Sequence, residues 1–316
     1  MGEKRLRPRG KKIDASHFLH IKKRKYKTQY QLLKKLYKDD CFKIDTSAPL
    51  QEKAMKKYWN HRDKLFSKID SLPIYMTHEL WFSVTPELIA KFIAKYVRAC
   101  LPAATKVLDV FCGGGGNTIQ FAKLFPKVYG VDFSIDHLYC TYRNAQSYGL
   151  ADRIWLKYGS WTQMVKKGKI QQLGIDCIFG SPPWGGPLYL KSKEYDLENS
   201  LLPVGLTELL EGFRSVSENI ILFLPKNSQL SQIAMATRKV FGVTKKCKII
   251  HVLQNGFSKG LFCIWGDALI NYETEDGGER DNFNKASTSH NTETNEEPTN
   301  DKGKAQTYDL NYDIDG

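Results

Sequence analysis

Residues 106–117 read Lys106-Val107-Leu108-Asp109-Val110-Phe111-Cys112-Gly113-Gly114-Gly115-Gly116-Asn117, and this stretch decides the fold class. A short apolar run ending in a glycine cluster predicts a buried strand over 106–111, a turn, and a helix over 117–124. A glycine loop between a strand and a helix N-terminus lets a ligand approach the backbone closely. Asp132 closes the next predicted strand, 127–131, where an acid can accept hydrogen bonds from ribose hydroxyls. A dinucleotide would call for GxGxxG spacing, and Asp109 just before the loop would repel its diphosphate. A P-loop is excluded because no Gly-Lys-Ser/Thr follows. A carboxylate at 109 suits a cation, such as the methionine ammonium of S-adenosylmethionine. A glycine-rich turn with two structural acids is the plainer alternative, weakened because strand, acid, glycines, helix, strand and acid fall in order.

Outward from this stretch, strands and helices alternate. Thr85-Pro86-Glu87 predicts a helix start, with Thr85 as N-cap and Pro86 in the first turn. Leu88, Ile89, Phe92, Ile93, Tyr96 and Val97 then mark one helix face. Beyond 132, a helix is expected over 135–148, strands over 154–157, 176–179 and 219–224, and a helix over 229–240. Strands over 247–253 and 261–265 are expected to pair antiparallel. The alternation predicts an α/β, doubly wound, mostly parallel sheet.

The strand over 176–179 runs into Gly180-Ser181-Pro182-Pro183-Trp184-Gly185-Gly186-Pro187. Two prolines fix φ and stiffen the loop. A polar residue before them offers oxygens to an exocyclic amine, and an aromatic after them can stack on the ring bearing it. Tryptophan is the largest such platform, and its π face attracts cations, which favours a positively charged base over neutral adenine.

Charge narrows the partners. The chain of 316 residues holds 47 Lys plus Arg against 34 Asp plus Glu, net +13. Residues 1–27 carry +9, residues 273–316 carry −8, and the middle keeps +12, so the surplus is not a tail effect. A basic folded region suggests a polyanion, most simply nucleic acid. Lys22-Lys23-Arg24-Lys25-Tyr26-Lys27 reads as a localisation run or RNA-binding arm. With 41% hydrophobic residues the chain is not wholly disordered, and no apolar run is long enough to span a membrane. Seven scattered cysteines without a CxxC pair argue against a metal and for a reducing compartment.

Trp81-Phe82-Ser83-Val84-Thr85-Pro86-Glu87, the stretch from Asp109 to Gln120, and Ser181 to Pro187 together resemble the trimethylguanosine synthase family. The resemblance covers roughly residues 55 to 266, and Lys57-Tyr58-Trp59 with Leu65-Phe66-Ser67 resembles the family's N-terminal helical part. It implies a Rossmann-like S-adenosylmethionine-dependent methyltransferase sheet with an N-terminal helical extension. The expected divisions are a basic disordered arm (1–27), the helical extension (28–84), the methyltransferase domain (85–272) and an acidic disordered tail (273–316).

The family converts the 7-methylguanosine cap of small nuclear and nucleolar RNAs to 2,2,7-trimethylguanosine, by two methyl transfers to guanine N2. The resemblance therefore implies that Trp184 stacks on 7-methylguanine while Ser181 and Pro182 line the amine. It carries cofactor binding onto Asp109, Gly113, Gly115, Asp132, Thr85 and Phe66, a base contact onto Asn144, and a cap-phosphate contact onto Lys57. Lys226 stands where members often carry Arg, keeping the charge without the bidentate fork. Arg62 or Lys64 would add to the phosphate site. Gly159-Ser160-Trp161 stands where many methyltransferases have an adenine-binding acid, so Ser160 and Trp161 are expected to serve there. The implied partners are a capped small RNA and, through the basic arm, ribonucleoprotein proteins, with placement in the nucleus and nucleolus. Two rivals are an amino methyltransferase acting on adenine and a non-catalytic cap-binding protein.

Overall fold

The computed structural model describes residues 25–272 and the backbone of 306–310. The expected basic arm lies almost wholly outside the described residues.

Helix α1 (Lys27–Lys38) opens the chain, and three single-turn helices follow: α2 (Lys56–Trp59), α3 (Arg62–Leu65) and α4 (Leu80–Ser83). Then come α5 (Glu87–Cys100), β1 (Lys106–Val110), α6 (Gly116–Leu124), β2 (Lys127–Asp132), α7 (Ile135–Ser147), β3 (Ile154–Tyr158) and α8 (Trp161–Lys166). The second half holds β4 (Cys177–Gly180), α9 (Leu206–Arg214), β5 (Ile220–Leu224), α10 (Leu230–Phe241), β6 (Lys248–Gln254), β7 (Phe257–Trp265), α11 (Asp267–Ile270) and β8 (Gln306–Leu310).

The strands form one sheet in the order β3-β2-β1-β4-β5-β7-β6-β8. β1 to β5 pair parallel, and β7 runs antiparallel between β5 and β6, as the sequence predicts for the last two strands of the domain. β5 is buried at every position, which is why it reads as the unbroken apolar run Ile-Ile-Leu-Phe-Leu. Its side chains alternate: Ile221 and Phe223 join the core under the N-terminal helices, α5 and α7, while Ile220, Leu222 and Leu224 join the core under α9 and α10. The same alternation turns Leu108 and Val110 to the second core and leaves Asp109 on the α6 side, bonded to Thr118.

Two expectations are corrected. Thr85 does not cap α5. Pro86 occupies the cap position, and the Thr85 hydroxyl instead accepts a 2.9 Å hydrogen bond from Asn117 Nδ2 on α6. The acidic tail is not all without structure, because Gln306–Leu310 pairs parallel with β6 and completes the sheet edge. Its Thr-Tyr-Asp-Leu stretch carries strand-forming residues to an edge with unpaired backbone groups. The rest of 273–316 lies outside the described residues.

Gly130 in β2 is where packing leaves no room for a side chain. A Cβ there would lie 2.8 Å from Leu156 Cδ2 and 3.1 Å from Cys112 Sγ. Gly130→Ala should therefore cost about 1–3 kcal/mol, read as a melting temperature lowered by several degrees. A variant as stable as the parent would show that Leu156 yields freely.

Candidate active site at the carboxyl ends of the strands

A cleft of about 620 Å³ opens beyond the carboxyl ends of β1, β2, β4 and β5, where open α/β sheets hold their ligands. A shallower depression of about 520 Å³, around Pro102, Asp176 and Asn219, lies at the opposite ends of the strands. The chemistry gathers in the first.

The glycine loop forms one wall, with Gly113, Gly114, Gly116 and Asn117 lining it. Gly113 has φ +53, Gly115 has φ +87, and Phe111 just before them holds φ +68, a conformation uncommon outside glycine. The glycines also admit protein. A Cβ on Gly114 would lie 3.1 Å from Val84 Cγ2, and one on Gly116 would lie 3.0 Å from Val84 Cγ1 and 3.2 Å from the Thr85 carbonyl. The segment around α4 is thus laid directly on the loop. Gly115, expected at the cofactor, does not line the cleft; a Cβ there would meet Thr141 at 3.1 Å, so it serves packing against α7.

Asp132 lies at the cleft wall, only 4% exposed. Its carboxylate accepts hydrogen bonds from the Gly113 amide at 3.0 Å and the Ser134 amide at 2.8 Å, so the glycine loop is pinned to it. His137 bridges Asp132 (3.5 Å) and Glu79 (3.6 Å). Burial works against its protonation, but the Asp132 bond and the charges of Asp132, Glu79 and Asp136 outweigh it and raise its pKa above the ordinary histidine value. Nothing in the sequence pattern flags His137 beyond its place in the first turn after Asp132.

Ser181, Pro182, Pro183 and Trp184 form the facing wall. The Ser181 amide donates to the Val110 carbonyl at 3.3 Å, tying this loop to the end of β1. The Trp184 indole is held by Tyr189 at 5.4 Å and Phe223 at 5.3 Å, and its buried Nε1 has no partner. Tyr189 and Phe223 both line the cleft, and the sequence pattern gives no signal for Tyr189. Lys57, Lys64, Lys226 and Lys259 also line it, a basic rim assembled from two parts of the chain.

Several carried-over residues are corrected. Asn144 is fully buried, and its amide is spent: Oδ1 accepts from the Tyr75 amide at 2.7 Å, while Nδ2 donates to the carbonyls of Tyr75 and Gly114. It fastens the N-terminal part and the glycine loop to α7 and has nothing left for a base. Phe66 is 2% exposed and packs on Tyr148; its neighbour Leu65 lines the cleft instead. Trp161 is 3% exposed and sits edge-on to Phe213 at 4.9 Å, in the core beneath α9. Ser160 pairs with Thr162 at 2.9 Å and is not part of the wall. Arg62 is held by Asp70 at 2.9 Å over the Trp59 ring, so it is not a free phosphate ligand.

Whether this wall suits S-adenosylmethionine is answered by its unpaired atoms. Asp109 Oδ1 and Asn117 Oδ1 are buried acceptors without a donor. Burying unpaired polar atoms is costly; Asn117 lines the cleft, and its free oxygen fits a ligand that donates hydrogen bonds, while Asp109, expected at the cofactor, lies behind the lining. Asp109 is 1% exposed, and its pKa is pushed up to about 7, first by burial and further by Asp132, against the Thr118 bond. Among the described residues no group of three or more His, Cys, Asp or Glu is placed to hold a metal ion, and no helix is long and apolar enough to cross a membrane.

Comparison with known proteins identifies the family. Residues 104–268 match the family described as RNA cap guanine-N2 methyltransferase. The chain is 57% identical to trimethylguanosine synthase of Saccharomyces cerevisiae, over 83% of each chain. It is 33% identical to trimethylguanosine synthase of Schizosaccharomyces pombe, over 73% of this chain and 93% of the relative. The fold resembles a candidate methyltransferase of Porphyromonas gingivalis W83, with a TM-score of 0.52 at 13% identity, covering 67% of this chain and 49% of the other.

An acid whose folded pKa (about 7) exceeds its unfolded value holds its proton more tightly in the folded chain. Its contribution to stability is full below the unfolded value, about 3.9, and is lost as pH rises toward 7. In the ligand-free protein, Asp109→Asn should therefore gain stability over the parent as pH goes from 5 to 8. Parallel melting-temperature profiles for the two proteins would contradict the buried-acid account.

Proposed function

The chain belongs to the family of RNA cap guanine-N2 methyltransferases, and we propose from that membership how its residues share the work and which RNAs it serves. It is an S-adenosylmethionine-dependent enzyme that methylates guanine N2 on RNA caps. Its reaction is the conversion of a 7-methylguanosine cap to 2,2,7-trimethylguanosine by two successive transfers. Its substrates are small nuclear and nucleolar RNAs, and it works in the nucleus and nucleolus, with the basic N-terminal region contacting ribonucleoprotein proteins. The observation that carries this reading is that Trp184, with Ser181 and Pro182, opens onto the same cleft as Gly113 and Asp132.

S-adenosylmethionine supplies an electrophilic methyl group on a sulfonium. Asp132 would accept from its ribose hydroxyls, and the free oxygen of Asn117, which lines the cleft, would accept from its ammonium, with the buried Asp109 carboxyl behind it. Guanine N2 is a weak nucleophile because its lone pair is delocalised into the ring. Methylation at N7 makes the ring cationic and N1–H more acidic, and loss of that proton returns density to N2. Trp184 holds the cationic ring face-on. Ser181 and Pro182 would line the amine, and the stiff proline pair would fix its place beside the cofactor pocket, so that positioning supplies most of the rate. Asp109 is not the proton acceptor, since it does not line the cleft. Lys57, Lys64 and Lys226 bind the cap phosphates. An adenine-directed enzyme would gain little from a tryptophan platform, and a non-catalytic cap binder would not need the Asp109, Gly113 and Asp132 set.

The test is a mass-resolved methylation assay with S-adenosylmethionine and, separately, 7-methyl-GTP and GTP. Gains of one and then two methyls on 7-methyl-GTP alone are expected; equal modification of both would remove the cationic-ring argument. Trp184→Ala should lower kcat/KM on 7-methyl-GTP by about 10- to 100-fold. Lys226→Ala should weaken cap binding and reduce the slope of log affinity against log salt by about one.

A further inference from the structure

The β6–β7 hairpin brings to the cleft a set of features that the cap nucleoside and the cofactor do not use. Gln254 pairs with Phe257, leaving Asn255-Gly256 as a two-residue turn with φ +53 and +75, the rigid geometry of a tight hairpin. Gln254 and Phe257 oppose each other directly and so share a face of the ladder, while Lys259 is the residue skipped where the register shifts between Val252 and Leu253. All three line the cleft.

Each is in a state that a ligand would relieve. The Phe257 ring is 72% exposed, with no ring packed against it among the described residues. Gln254 is 3% exposed, yet its Nε2 has no hydrogen-bond partner. Lys259 stands near Lys64 and Lys226, and its pKa is lowered first by burial and then by those two charges. No acidic side chain among the described residues forms an ion pair with Lys64, Lys226 or Lys259. Mutually repelling lysines beside a buried orphan donor and an open aromatic ring are the components of a single-stranded nucleic-acid site, in which phosphate charge is neutralised and a base stacks on the ring.

We propose that this hairpin face is the seat of the first transcribed nucleotide of the capped RNA, with its base on Phe257, Gln254 Nε2 donating to it, and Lys259 joining Lys64 and Lys226 on the 5′–5′ triphosphate. The inference rests on the cap-methylating activity and extends it: the enzyme reads one nucleotide beyond the cap. Stacking tolerates any base, so it recognises that a nucleotide is present rather than which one.

The test compares kcat/KM for 7-methyl-GTP with that for the dinucleotide cap in which the same triphosphate joins 7-methylguanosine to adenosine. The parent protein should favour the dinucleotide by about 5- to 100-fold. Phe257→Ala should bring the ratio close to one, Phe257→Trp should keep it, and Gln254→Leu should reduce it. No dinucleotide preference in the parent, or an equal loss on both substrates in Phe257→Ala, would overturn the proposal while leaving the cap reading intact. Failure of the parent to methylate 7-methyl-GTP at all would instead count against that reading, and the nucleotide seat would fall with it.

Discussion

Close contact between the glycine loop and the segment through α4 is the constraint on which the rest of the structure depends. Leu80, Val84 and Thr85 come within 3.0–3.3 Å of where side chains on Gly113, Gly114 and Gly116 would begin. A side chain there would push the N-terminal part off the sheet. With glycine, the two halves of the chain share one surface, and Lys57, Lys64 and Leu65 face Ser181 to Trp184 across a single cleft. Asn144 ties the same joint from beneath, holding Tyr75 and Gly114 with one amide. The N-terminal helices are therefore part of the active site rather than an appendage to it.

Within that frame, the electrostatics divide between floor and rim. The floor is buried: Asp109 and Asp132 are 1% and 4% exposed, and Asp109 lacks a partner for one oxygen. A low-dielectric floor magnifies attraction for an incoming cation and penalises an empty site. The rim holds Lys57, Lys64, Lys226 and Lys259, none of them in an ion pair among the described residues, a charge suited to a chain of phosphates. Opposite charges for two ligands, set at two depths, orient the cofactor and cap differently before any shape is read.

Much of the fold was legible because its signals are local. The apolar run 106–110, the glycines behind it and Asp132 at the end of the next strand are short-range patterns, and each landed in its element. The Ser181 to Trp184 loop was legible for the same reason. Phe66, Trp161 and Asn144 were placed by likeness of position, and burial is a tertiary property that position does not reveal. Phe66 and Leu65 are adjacent, yet only Leu65 faces the cleft. In helix α9 Leu206, Leu209, Leu210 and Phe213 repeat at helical spacing, but the segment is short and flanked by turn-forming residues, which masks the signal in the sequence. His137 and Tyr189 meet Asp132 and Trp184 only five positions away, but no helical or strand pattern marks that spacing, and the hairpin residues reach the cleft beside Lys64 and Lys226 only through the tertiary fold.

The strand at Gln306–Leu310 gives the acidic end of the chain a protective role. It hydrogen-bonds to β6 and so caps a row of backbone groups that would otherwise be open. Open edges of this kind recruit strands from other molecules. Gln306–Leu310 becomes the border in its turn, a five-residue edge that includes the charged Asp309 in place of the seven-residue β6, and short, charged edges are the less adhesive kind. Cutting the chain after Tyr272 would return the border to β6, at the far side of the sheet from β3.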